Sequence, residues 1–198
     1  MPVVVLPGKQ PIPGFNVKEL GAAIGVGDRS AQHSLETVWQ SCDRVLTAVL
    51  AATAQLKDAD LDLKMPNRDR DLRGLVHDVF YKTLTWAPET GTAIPRHADS
   101  QKQEAARYRH VAGILVYGEA TRAALQTRFS HVGRDDDRIV QTADGPMTLA
   151  DAVTWLADHS AHHLRQIYWL MENDLGVRPR DPLDLTALPG ITLQEHLW

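Results

Sequence analysis

Between Thr148 and Gly176 the sequence keeps one apolar stripe: Leu149, Val153, Leu156, His159, His163, Ile167 and Leu170, at steps of four, three, three, four, four and three. That is one face of a 3.6-residue period. Thr148 and Asp151 form a T-x-x-D start signal just after Asp144-Gly145-Pro146, and Gly176 with Pro179 beyond it gives the stop. A helix over about 148–175 follows. Any fold of this chain must therefore bury a long helix whose inward face carries two imidazoles.

On such a helix His159 and His163 lie four apart, with Cβ atoms roughly 5–6 Å from one another. A buried imidazole needs partners at both ring nitrogens. Either each histidine finds its own hydrogen bonds in the core, or a shared metal ion satisfies one nitrogen of each. The H-E-x-x-H protease pattern is disfavoured, because Ser160 stands where its glutamate would be. His162 lies about 100° off the metal face and reads as a polar or packing residue, with a role behind a ligand as the alternative.

The remaining chain reads as three further amphipathic helices. One runs near 30–56, capped by Ser30 or Ser34, with Leu35, Val38, Cys42, Val45 and Val49 inward. A second runs near 69–85, with Leu72, Leu75, Val79 and Phe80 inward. A third runs near 100–129 through Tyr108, Leu115, Glu119, Arg122 and Leu125. Residues 1–28, rich in Pro and Gly, form an irregular arm, with room for a short helix near Val17–Ile24. Ile139–Thr142 is a short extended piece, and 179–198 form a non-repetitive tail. Four long helices with few strand signals imply an all-α four-helix bundle over 29–178 with irregular terminal extensions. Bundles build metal sites in the core from facing helices.

The bulk numbers narrow the function classes. A chain of 198 residues with 43% hydrophobic and 23% charged content is ordinary for one globular domain. Net charge is −4 with no basic run, which gives nucleic acid and anionic membranes nothing to bind. The lone Cys42 excludes an internal disulfide framework and fits a reducing compartment. Without a signal-like leader or an 18-residue apolar run, the expected location is the cytoplasm. Cys42 itself reads as a small core residue, and Asp135-Asp136-Asp137 as a solvated loop.

A three-ligand metal site needs a further donor, and the second helix offers His77 in Leu72-Arg73-Gly74-Leu75-Val76-His77-Asp78. Taken alone His77 reads as a hydrogen-bonded histidine at the edge of the stripe. His77 and His159-Ser160-Ala161-His162-His163-Leu164-Arg165-Gln166-Ile167 together make the chain resemble the DinB/YfiT-like family of four-helix metalloproteins over about residues 30–175. The resemblance implies a DinB-like bundle topology and a divalent metal, Zn, Ni or Fe, on His77, His159 and His163. It also implies metal-dependent chemistry, in which the metal activates a low-molecular-weight thiol or water against a small electrophilic substrate, as in a transferase or isomerase. Family habit adds a homodimer. His162, Glu119 and Arg122 are the candidates for groups behind the ligands, an internal salt bridge being the alternative for the last two. A metal-binding stress or interaction protein without turnover is the competing class.

Overall fold

Local capping starts each long helix where the sequence offers a cap. Ser34 Oγ accepts from the Thr37 N–H (3.2 Å), and helix α1 runs Leu35–Thr53. Asp71 Oδ1 accepts from the Gly74 N–H (2.8 Å) at the start of α2, Leu72–Trp86. Thr148 Oγ1 accepts from the Asp151 N–H (3.1 Å) and opens α5, Leu149–Asn173. Each cap supplies an acceptor to a backbone donor that has no intrahelical partner. At the far end of α5, Gly176 takes φ +64°, and the Val177 N–H donates to the Met171 carbonyl (2.7 Å). This computed structural model describes residues 3–4, 12–13, 33–66, 68–86, 98–130, 138–142 and 145–198.

The expected third helix is in fact two, α3 (Ala98–Ala105) and α4 (Val111–Phe129). No Gly or Pro marks the break at Tyr108–His110. The cap comes instead from far along the chain. Asp58, in a 3-10 turn at Asp58–Asp62, accepts from the Val111 N–H through Oδ1 and binds His110 Nδ1 through Oδ2, both at 2.8 Å. Helical propensity through 106–110 thus loses to a tertiary cap, which local pattern does not reveal.

Two small ladders accompany the helices. β1 (Val3–Val4) pairs antiparallel with β2 (Ile12–Pro13) inside the arm. β3 (Ile139–Thr142) pairs antiparallel with β4 (Gly145–Thr148), Ile139 opposite Thr148. The extended reading of 139–142 holds, whereas β4 occupies residues for which no strand was expected. Asp144-Gly145 between two short runs is a hairpin signal in its own right. The expected short helix at Val17–Ile24 and the Asp135–Asp137 loop lie outside the described residues.

The four long helices pack in a ring. α1 makes its most extensive contact with α5, α5 packs on α2, α2 on α4, and α4 on α1. α1 and α2 are therefore diagonal, touching only lightly across the centre. The chain therefore crosses the bundle between α1 and α2 and again between α4 and α5, whereas α2 and α4 are neighbours in the ring. Buried Val45, Leu46, Leu75, Val79, Ile114 and Ile167 represent the shared core. The last twenty residues lie along α1 and α5. Leu185 and Leu188 are buried, Ser41 Oγ donates to the Pro189 carbonyl (2.8 Å), and the Leu183 N–H donates to Tyr168 Oη (3.1 Å). Among the described residues no helix is long and apolar enough to cross a membrane.

α4 approaches α1 and α2 closely at Gly118. A Cβ there would sit 2.7 Å from Leu50 Cδ2 and 2.8 Å from Phe80 Cζ. The Phe80 ring is fully buried and cannot swing clear. Gly118→Ala is expected to destabilise the protein by about 1–3 kcal/mol despite the gain in helix propensity. Chemical denaturation with an unchanged m-value measures it, and a neutral or stabilising result would show that α4 can shift outward freely.

Candidate metal centre

α2 lies between α5 on one side and α4 on the other, so both its faces are buried and one residue step decides which neighbour a side chain meets. Successive helical residues point 100° apart. Asp78 faces α5, and His77 faces α4. Asp78, His159 and His163 each offer a ligand atom, and these atoms all lie within 4.8 Å of one another. Asp78 Oδ2 is 3.2 Å from His163 Nε2 and 3.6 Å from His159 Nε2. The Asp78 and His163 side chains are 3% and 8% exposed. His159, at 18%, is the member nearest solvent.

His77 is not in this group. Its ring lies among three tyrosines, with centroids 5.2 Å from Tyr117, 5.4 Å from Tyr108 and 5.5 Å from Tyr81. It is fully buried, and neither ring nitrogen has a hydrogen-bond partner among the described residues. Burial pushes its pKa down from 6.5 to about 4, so the imidazole is neutral. Of the three ligands implied by the family resemblance, His159 and His163 thus stand together, His77 stands apart, and the neighbouring Asp78 carboxylate joins the pair. The sequence signal for Asp78 was an acidic residue inside the apolar run Leu75-Val76-His77-Asp78-Val79-Phe80.

A buried carboxylate needs compensating partners. Arg70, just ahead of the Asp71 cap, donates from Nη1 to Asp78 Oδ2 at 3.1 Å. Burial works to raise the Asp78 pKa, but His159, His163 and Arg70 outweigh it and hold the carboxyl well below the usual carboxylate range. His159 is pushed down to about 4, chiefly by burial. It stacks on Trp155 (centroids 4.8 Å, 12° between planes) and meets His163 edge-on at 4.3 Å. His159 Nε2 is buried and, 3.6 Å from Asp78 Oδ2, is within hydrogen-bond distance of no atom among the described residues. His163 Nδ1 lies 2.7 Å from Gln166 Oε1, which gives that nitrogen its partner and leaves Nε2 facing Asp78.

The other candidates fall elsewhere. His162 is buried beside the pair, and its Nε2 meets Gln166 Nε2 at 3.1 Å. Arg122 pairs with Asp43 of α1 through Nε (2.7 Å) and Nη2 (3.0 Å), with Glu119 at 3.9 Å, making the internal salt bridge and no contact with the histidine pair. Cys42 is a buried core thiol pushed up to about 12 by burial, with Asp43 adding to it, which suits packing rather than nucleophilic attack. A scan against protein-family models gives no match to this chain, and a search of curated proteins gives none either.

Three imidazoles, the buried His77 and His162 and the half-buried His159, each fall to about 4 from 6.5, desolvation being the first cause in each. Each binds its proton more readily in the unfolded chain. Protons therefore favour unfolding between those values, and stability is lost as pH falls from about 6.5 to about 4. The Asp78 carboxylate, depressed when folded, adds a loss of the same sign only at lower pH, below its unfolded range. Denaturant melts of metal-free protein are expected to weaken by a few kcal/mol, on the order of one to three per histidine, between pH 7 and pH 4.5. A flat profile across that window would contradict the neutral, buried assignment.

Proposed function

We propose that this protein binds one divalent metal ion on Asp78, His159 and His163, and that it is a metal-dependent enzyme acting on a small electrophilic substrate. One observation carries the first half: the ligand-to-ligand spacing. Bonds of about 2.0–2.1 Å to a tetrahedral ion put its ligand atoms roughly 3.3–3.4 Å apart. The carboxylate oxygen lies 3.2 Å and 3.6 Å from the two histidine nitrogens, spacings that bracket this value. The His159 Nε2, which has no hydrogen bond among the described residues, and the His163 Nε2, with its far nitrogen already occupied, are the donors such an ion requires.

Two imidazoles and one carboxylate suit Zn, Fe, Ni or Mn and leave coordination positions open. When bound, the ion supplies Lewis acidity, polarising a substrate or lowering the pKa of a water or thiol. The protein's own residues define how strongly. The carboxylate contributes a negative charge that three neutral imidazoles would not, which tempers that acidity, while Arg70 draws part of the charge back. Trp155 fixes the plane of the His159 ring, and the exposed edge of His159 is the side from which a small molecule has access. A low-molecular-weight thiol as co-substrate, in a DinB-like bundle, is supported by the sequence motif His159 to Ile167. A metal-binding protein without turnover is the second reading, favoured by how nearly closed the site is.

Asp78→Asn, His159→Ala and His163→Ala are each expected to abolish stoichiometric metal, whereas His77→Phe and His162→Ala retain it. Zinc and nickel titrations followed by metal analysis of dialysed protein decide this. Loss of metal in His77→Phe together with its retention in Asp78→Asn would overturn the ligand set. Chelator titration with a thermal melt and a thiol-plus-electrophile screen separates the two readings. Lost turnover with an intact fold supports the enzyme. A sharp fall in melting temperature with no activity under any thiol supports the second.

A further inference from the structure

The same α5 turn that carries the histidines also holds the chain's last residues, and the contact passes through one buried amide. Gln166 is 1% exposed. Its Nε2 donates to the Leu197 backbone carbonyl at 2.6 Å. A carbonyl can only accept, so this bond fixes which end of the amide is nitrogen. Gln166 Oε1 is then the atom 2.7 Å from His163 Nδ1. An oxygen there accepts, so His163 Nδ1 carries the proton. The second Nε2 hydrogen points to His162 Nε2 at 3.1 Å, which completes the amide's donors.

We infer that Gln166 and the 192–198 segment form a clamp that holds a proton on His163 Nδ1 and turns Nε2, 3.2 Å from Asp78 Oδ2, toward the site. The segment is anchored independently of the site at three points. The Thr192 N–H donates to Asp158 Oδ1 (2.6 Å), Arg165 Nη1 donates to the Gln194 carbonyl (2.6 Å), and Trp198 packs edge-to-face on Trp169 with centroids 5.5 Å apart. Without the Leu197 carbonyl, the Gln166 amide loses what fixes its orientation. Turned over, it would offer N–H groups to Nδ1 and shift the proton to Nε2, where it blocks the lone pair a metal needs. Groups of this kind behind a metal ligand set its tautomer and orientation. Gln166 is thus a positioning residue, and the tail sets metal affinity from outside the ligand set. The geometry stands by itself; its consequence for metal rests on the reading proposed above.

Full-length protein with ring-labelled histidine tests the clamp by two-bond nitrogen–proton correlation spectra, recorded metal-free and with zinc, beside zinc titration calorimetry and a thermal melt. Native protein is expected to show a protonated His163 Nδ1 in both states. Trp198→Ala, which removes the packing on Trp169 and changes none of the three residues of the group, should mix the His163 tautomers and weaken zinc binding several-fold. Gln166→Met should abolish the preference and weaken zinc binding about 10–100-fold. A native His163 with Nδ1 unprotonated overturns the clamp, as does a tautomer unchanged in Trp198→Ala and Gln166→Met alike. Native protein that takes up no zinc while its tautomer still responds to both variants upholds the clamp and removes the metal reading alone.

Discussion

The buried Asp78 carboxylate constrains everything around it. Taking a carboxylate out of water costs several kcal/mol even after relaxation, and the cost is offset only by partners of good geometry. Here those partners come from two places. Arg70 reaches back from the residue preceding the Asp71 cap, and His159 and His163 arrive from α5. α2 and α5 are thereby locked in register as well as packed, since a shift of one residue along either helix would strand the charge. An apolar pair at this point would hold the helices together as firmly. It would not specify which turn faces which.

The fold was readable where its cause is local. Amphipathic periodicity marks α1, α2 and α5; Thr148 caps α5 where expected, and of the two caps offered for α1, Ser34 stands at its start. It was unreadable where the cause is distant. The break between α3 and α4 depends on Asp58, about fifty residues away, and no residue type near 106–110 announces it. The site divides in the same way. His159 and His163 declare themselves by spacing within one helix. Whether His77 or Asp78 meets them depends on the rotation of α2 between α4 and α5, which a two-sided apolar pattern leaves undetermined. The family resemblance favours His77, and the packing presents Asp78. Gln166 stood within the motif from the outset, but its role needed Leu197, whose backbone carbonyl has no sequence signature.

α5 departs from a simple amphipathic helix in its middle turns. Ser160, Ala161, His162, His163, Leu164 and Gln166 are all buried, so the helix is enclosed nearly all round there. The bundle covers one side and the C-terminal residues cover the other. The polar atoms on that covered side need partners inside the protein, and Gln166 supplies several at once. One amide answers two histidines and a backbone carbonyl, a dense arrangement in which no member can change its hydrogen-bonding role alone.

The ring order also has a consequence in time. A ribosome delivers this chain from α1 onward at about 5–20 residues per second, and about 100 residues separate the end of α1 from the start of α5. α1 thus waits, with the apolar face it shares mainly with α5 uncovered, while most of the domain is made. Chain-separated contacts of this sort slow folding and prolong the exposure of sticky surface. That face is covered only when α5 docks.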